Sequence, residues 1–124
     1  VEPAAGAGSY YPASILDNVT PAMRIYREEA FGPVAIIIRA KDEMDAIRIA
    51  NDTAFGLAAS IWTGDKAKGE ALARKIQAGA VFVNSLVRSD VRLPFGGTKT
   101  SGFGRELAEH GIHEFMNIKT VYVD

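Results

Sequence analysis

The 124-residue chain carries 14 Lys and Arg against 15 Asp and Glu, a formal net charge of -1, with 48% hydrophobic and 23% charged residues. That balance gives no electrostatic footprint for nucleic acid or an acidic membrane surface, and no apolar run approaches the roughly 20 residues that cross a bilayer. With no cysteine, the chain holds no disulfide, no thiolate zinc site and no cysteine nucleophile, and a cytoplasmic location is the expectation.

A single domain of this length is expected to bury roughly 65% of its unfolded surface. The opening VEPAAGAGSYYP has no basic region followed by a long apolar stretch, so it does not read as a signal peptide. It starts on Val1 rather than Met, which fits a fragment, a processed chain or a trimmed one.

Residues 1–20 are rich in Gly, Ala, Pro and Ser and read as irregular, with one edge strand over the short apolar piece at 13–16. Residues 34–38, VAIII, form a continuous β-branched run, as expected of a strand buried on both faces. A helix follows over 41–52: Asp42 is the N-cap, Glu43 and Asp45 sit in the first turn, and Met44, Ile47 and Ala50 share a face. Residues 57–63, LAASIWT, are a second strand. Residues 65–78 are a second helix, with Leu72 and Ile76 on one face and Gly79 at its stop. Residues 80–83, AVFV, are a third strand. This β-α-β-α-β order predicts an α/β fold with a parallel sheet and helices packed on it.

From 84 to 102 no period of two or 3.6 persists. A gap of this length is far beyond the usual connection of about 4–6 residues, and long ordered loops are usually functional. It begins at the carboxyl end of a strand, where open parallel sheets collect their ligands. A last helix is expected over 105–116, interrupted at Gly111. The alternating segment IKTVYV, bounded by Ile118 and Val123, reads as a half-exposed strand available for pairing with another chain.

Four constellations are candidates for chemistry. Residues 92–106, RLPFGGTKTSGFGRE, are glycine-rich and carry a lysine beside hydroxyls, which raises the question of a phosphate cradle. A P-loop requires G-x-x-x-x-G-K-[ST], but Lys99 follows Thr98, and Gly102-Phe103-Gly104 has Leu107 where a dinucleotide fingerprint places its third glycine. Both templates fail, and tight turns with close backbone approach are the alternative use of the glycines. Glu28 and Glu29 are adjacent carboxylates, either an acid–base pair, or a solvated pair or one structural hydrogen bond. Arg88 and Arg92 flank Asp90, either as a ligand site for a carboxylate or as an ion pair that stabilises the loop. His110 and His113 are three apart but lack a third ligand, so they read as surface or packing histidines. The residues alone yield an α/β domain with a conspicuous loop and no reaction.

Two longer stretches resemble one family. Residues 28–34, EEAFGPV, look like the E-E-x-F-G-P-V signature of the NAD(P)-dependent aldehyde dehydrogenases. Residues 94–106, PFGGTKTSGFGRE, are similar to that family's P-F-G-G-x-K-x-S-G-x-G-R-E. Between them, Ala50-Asn51, GLAA from Gly56 and AGAVFVN from Ala78 match in the same order. The likeness runs from about Tyr10 to the C-terminus and covers only the last quarter of such an enzyme: the latter part of the catalytic domain and a terminal oligomerisation strand at 118–124.

The resemblance implies an oxidoreductase that converts an aldehyde to its acid with NAD or NADP. It implies that Glu29 accepts hydrogen bonds from the nicotinamide ribose, that Phe31 packs near the nicotinamide, and that Phe95 lines the substrate tunnel. The nucleophilic cysteine, the glutamate base, the oxyanion asparagine and the cofactor domain have no counterpart here, so the chain alone is expected to be inactive. Residues 84–97, NSLVRSDVRLPFGG, look like the version found in bacterial succinate-semialdehyde dehydrogenases. A distal carboxylate on the substrate then calls for Arg88 or Arg92. Homo-oligomerisation through the segment from Ile118 to Val123 is a further implication. The competing expectation is a non-catalytic oligomerisation or binding module derived from such an enzyme.

Overall fold

The computed structural model describes residues 8–124, so the irregular chain expected over 1–7 lies outside the described residues. The elements in order are β1 (Ser14–Leu16), α1 (Arg24–Arg27), β2 (Val34–Ile36), α2 (Glu43–Asn51), β3 (Ala58–Ile61), α3 (Lys66–Ala73), β4 (Ala80–Val83), a single 3-10 turn (Lys99–Ser101) and α4 (Ala108–His113). By its internal contacts the chain divides into two units, Val1–Ile49 and Ala50–Asp124.

The class is α/β with parallel pairing, but the three expected strands do not join one sheet. In the first unit β1 pairs with β2 in parallel, Ser14 opposite Val34 and Leu16 opposite Ile36. In the second, β3 pairs with β4 in parallel, Ala58 opposite Ala80 and Ile61 opposite Val83. The apolar piece near residue 14 is therefore the partner that β2 finds, and its register is continued by the Ile37 N–H donating to the Leu16 carbonyl (2.8 Å).

Local signals place the helix starts well. Asp42 Oδ1 accepts the Asp45 N–H (2.8 Å), and Asp45 Oδ2 reaches back to the Lys41 N–H (3.1 Å), so two otherwise orphaned donors at the start of α2 are satisfied. Asp65 caps α3 in the same way, accepting the Lys68 N–H (3.0 Å). Packing departs from expectation along α2, where Met44 is 62% exposed and only Ile47 of the expected face is half-buried.

Helix ends follow contacts distant in sequence. α3 stops at Ala73, not at 78, because Asn51 takes over the backbone beyond it: its Nδ2 donates to the Lys75 carbonyl (2.9 Å) and its Oδ1 accepts the Gln77 N–H (2.8 Å). Gly79 is consequently not a helix stop; its N–H donates to the Gly56 carbonyl (2.9 Å) at the entry to β4. The last helix starts late, since the backbone of Glu106 is engaged in a two-way bridge with Phe95. Leu107, the N-cap, and Ala108, the first residue of α4, both have positive φ (65° and 49°), and Gly111 lies inside α4 without breaking it.

The expectation of a self-sufficient core does not hold. Among the described residues the buried hydrophobic side chains are Val19 and Tyr26, while Ile15, Trp62, Phe103 and Phe115 are exposed. VAIII is not covered on both faces either, because Ile36 and Ile37 are exposed. A two-stranded ladder has too few strands to make a covered layer by itself. α3 supplies partial cover, resting on β4 where Gly69 lets the helix approach Val83 and Thr63. Over residues 118–123 no strand forms among the described residues, and Ile118, Val121, Tyr122 and Val123 are all exposed. The alternating pattern is there, but a strand needs a ladder partner to satisfy its backbone, and this segment has none among the described residues.

Candidate functional site

In the second unit the long loop leaves the carboxyl end of β4 at Asn84, whose φ of 53° lies in the left-handed region that asparagine tolerates. Its amide then does the work of one more ladder rung: Oδ1 accepts the Thr63 N–H (2.8 Å) and Nδ2 donates to the Thr63 carbonyl (2.8 Å). Ser60 Oγ adds a bond to the Ser85 carbonyl (2.9 Å), so the start of the loop is fixed to the end of β3.

The far side of the loop is fixed to residues 51–56. Lys99 Nζ donates to the carbonyls of Asn51 (2.9 Å) and Thr53 (3.0 Å). Thr100 bonds the Ala54 carbonyl through both its N–H (3.1 Å) and its hydroxyl (2.6 Å). Ser101 Oγ accepts the Gly56 N–H (3.0 Å), and the Gly56 carbonyl accepts the Thr98 N–H (2.9 Å). The lysine that invited a phosphate reading thus places its charge at the carboxyl end of α2, where carbonyls and the helix dipole favour a cation. Lys99→Met, which keeps the stem and loses the charge, should cost about 1–2 kcal/mol. Thermal unfolding and faster amide exchange in the last turn of α2 would register it; unchanged exchange there would refute the capping role.

Between these anchors lie the loop residues with free chemistry. Arg92 grips Asp90 with two bonds, Nε to Oδ1 (2.9 Å) and Nη2 to Oδ2 (2.7 Å), and its own N–H donates to Oδ1 (3.0 Å). The Arg92 guanidinium, then its backbone N–H and the charge of Arg88, draw the Asp90 carboxyl down to about 2 from its ordinary 3.8. Because the folded value is the lower one, the stabilisation is present above pH 3.8 and is lost only as pH falls toward 2. Asp90 is a carboxylate throughout the neutral range.

Arg88 makes no hydrogen bond or ion pair among the described residues. With Asp90, Leu93, Phe95 and the strand β4 it lines a cavity of about 430 Å³. Phe95 is half-buried there and held by its backbone, its N–H donating to Glu106 O (2.8 Å) and its carbonyl accepting the Glu106 N–H (2.7 Å). Arg92 is not part of this lining. Of the two arginines considered from sequence, the free one is Arg88.

The first unit separates the two glutamates. Glu28 is bound by Arg24 in a fork, Nε to Oε1 (3.0 Å) and Nη2 to Oε2 (2.9 Å), one turn along α1. Glu29 is exposed and makes no hydrogen bond or ion pair among the described residues, so both its oxygens are open to a ligand. Phe31 is 96% exposed and borders an open depression of about 490 Å³ with Tyr11, Gly32 and Pro33. Sequence reading missed α1, and with it the reason Glu28 is unavailable. It also missed the roles of Lys99, Asn51 and Asn84; only the asparagines offered a signal, standing where a helix and a strand end.

Residues 2–121 match the family described as the Aldehyde dehydrogenase family. The chain belongs to that family. It is 53% identical over 123 residues to the succinate semialdehyde dehydrogenase [NAD(P)+] Sad of Escherichia coli (strain K12), covering 99% of this chain and 27% of that protein. It is similar to the crystal structure of an NAD-dependent aldehyde dehydrogenase from Sinorhizobium meliloti, with a TM-score of 0.92, 41% identity, and coverage of 98% of this chain and 24% of that one. It is also similar to a succinic semialdehyde dehydrogenase from Streptococcus pyogenes in complex with NADP+, with a TM-score of 0.84, 41% identity, and coverage of 88% and 24%. The chain therefore spans about a quarter of the length of the aldehyde dehydrogenases it matches.

Proposed function

We propose that this chain is the C-terminal part of an enzyme that oxidises succinate semialdehyde to the dicarboxylic acid with NAD or NADP. Membership of the aldehyde dehydrogenase family carries the reaction class. The substrate follows from the unengaged guanidinium of Arg88 on a cavity it shares with Phe95, a pairing that suits an aldehyde with an apolar body and a distal carboxylate. The names of the relatives from Escherichia coli and Streptococcus pyogenes agree with that choice.

In this reading Phe95 packs on the carbon chain of the substrate while Arg88 receives its carboxylate. Glu29 accepts the two ribose hydroxyls of the cofactor, which a carboxylate with both oxygens free does well. Phe31 presents its ring to the nicotinamide and restricts how that flat group sits. When bound, the nicotinamide accepts the hydride of the aldehyde. The thiolate that must attack the aldehyde comes from outside this sequence, which has no cysteine. The exposed segment from Ile118 to Val123 pairs with a second copy of the enzyme, satisfying its open backbone and covering its apolar side chains.

A cofactor-reduction assay tests the proposal. The complete enzyme should prefer succinate semialdehyde to butanal, which has the same chain length without the carboxylate, by tenfold or more in kcat/KM. The purified 124-residue chain should reduce no cofactor with either. Equal use of the two aldehydes would overturn the substrate assignment, and turnover by the isolated chain would overturn the need for an external thiolate.

A further inference from the structure

Three charged side chains lie close together in the loop sequence: Arg88, Asp90 and Arg92. Two of them, Arg88 and Asp90, line the cavity. Arg92 could reach an anion only by leaving Asp90, to which it is bound by both arms of its guanidinium. Asp90 has a second task, since its Oδ1 also accepts the Arg92 N–H and its carbonyl accepts the Leu93 N–H (2.9 Å), closing a tight turn.

We propose that Asp90 sets the charge selectivity of this cavity by holding Arg92 out of it, so that Arg88 alone meets the substrate's carboxylate. This rests on the reading of the cavity as the site of a carboxylate-bearing aldehyde and assigns the residue that tunes it. Arg88, Asp90 and Arg92 together carry one net positive charge, which one carboxylate neutralises. The Asp90 carboxyl, drawn down to about 2, carries its charge wherever the enzyme works. Asp90 is thus a positioning residue acting through Arg92.

Asp90→Asn isolates the charge from the turn, because the amide oxygen still accepts the Arg92 N–H. In the complete enzyme the ratio of kcat/KM for succinate semialdehyde to that for butanal should rise about threefold, mainly through a lower KM for the anionic substrate, as an exposed ion pair is released. The double variant Asp90→Asn/Arg92→Gln should return the ratio to that of the parent enzyme, because the released arginine is then gone. A ratio that is unchanged or lower in Asp90→Asn overturns the proposal, as does a rise that survives in the double variant. Arg88→Gln distinguishes the two levels of inference. Loss of preference in Arg88→Gln with no change in Asp90→Asn leaves the carboxylate site standing and removes only the role of Asp90. No change in Arg88→Gln overturns the site, and the role of Asp90 with it.

Discussion

Gly79→Ala is expected to destabilise the complete enzyme by about 3 kcal/mol or more and to depress its soluble yield. The cause is steric, since a Cβ at Gly79 would collide with the carbonyl of Gly96 and stand 3.2 Å from the Gly97 Cα. Both obstacles are backbone, so no side-chain rotation relieves them. The backbone cannot move aside cheaply either: the Gly79 N–H is bonded to the Gly56 carbonyl, which also holds the Thr98 N–H (2.9 Å each). Three stretches, at 56, 79 and 96–98, therefore meet at van der Waals distance, with no room for a methyl group. Gly64→Ala is the control, because nothing lies within 4 Å of a Cβ there. It should change stability by less than about 1 kcal/mol. Thermal unfolding of the two variants side by side gives the answer, and similar melting temperatures would refute the close-approach explanation.

Arg88→Gln should raise KM for succinate semialdehyde by about 10- to 100-fold and leave KM for butanal nearly unchanged. The estimate comes from a charge-assisted contact worth about 1.5–3 kcal/mol, at 1.4 kcal/mol per factor of ten. The difference between Arg88→Gln and the parent enzyme should also grow smaller as salt is added, since Arg88 is exposed and its field is screened over roughly 10 Å at 0.1 M. Arg92→Gln is a different experiment despite the similar residue. Arg92 spends its guanidinium on Asp90, so its removal loosens a turn and takes no ligand from the substrate. A KM for succinate semialdehyde that rises as much in Arg92→Gln as in Arg88→Gln would show that both arginines bind the substrate.

What the sequence revealed and what it concealed divide along the distance between interacting residues. The start of α2 was legible because Asp42 caps a donor three residues on, whereas Asp65, read as the first residue of the second helix, is its cap. The parallel pairing of β3 with β4 was legible from two apolar runs flanking a helical one. The pairing of β2 was not, because its partner is three residues, Ser14–Leu16, in a stretch dominated by small residues. The end of α3 was hidden because Asn51, more than twenty positions away, decides it. The family was legible from EEAFGPV and PFGGTKTSGFGRE, and the match over residues 2–121 agrees. The site was legible only as a set of candidates. Sequence named Arg88 and Arg92 together, and Glu28 beside Glu29; side-chain pairing then engages one member of each couple and leaves the other free. Such a division depends on rotamers and on α1, and neither leaves a periodic trace.

The loop is fastened at both ends and almost nowhere between. Asn84 and Ser85 hold one end to β3, residues 98–101 hold the other to residues 51–56, and Ala108 donates to the Val91 carbonyl (3.1 Å). Residues 86–90 send no backbone hydrogen bond to any other part of the described chain, and their one ion pair is made within the loop itself. A fixed frame around a self-contained insert behaves as a cassette. Residues 86–93 can be exchanged for a segment of equal length from a relative with another substrate, and the clasp of Gly56, Gly79, Gly96 and Lys99 is untouched. These eight residues are then the part of the segment that can change without rebuilding the scaffold that carries them.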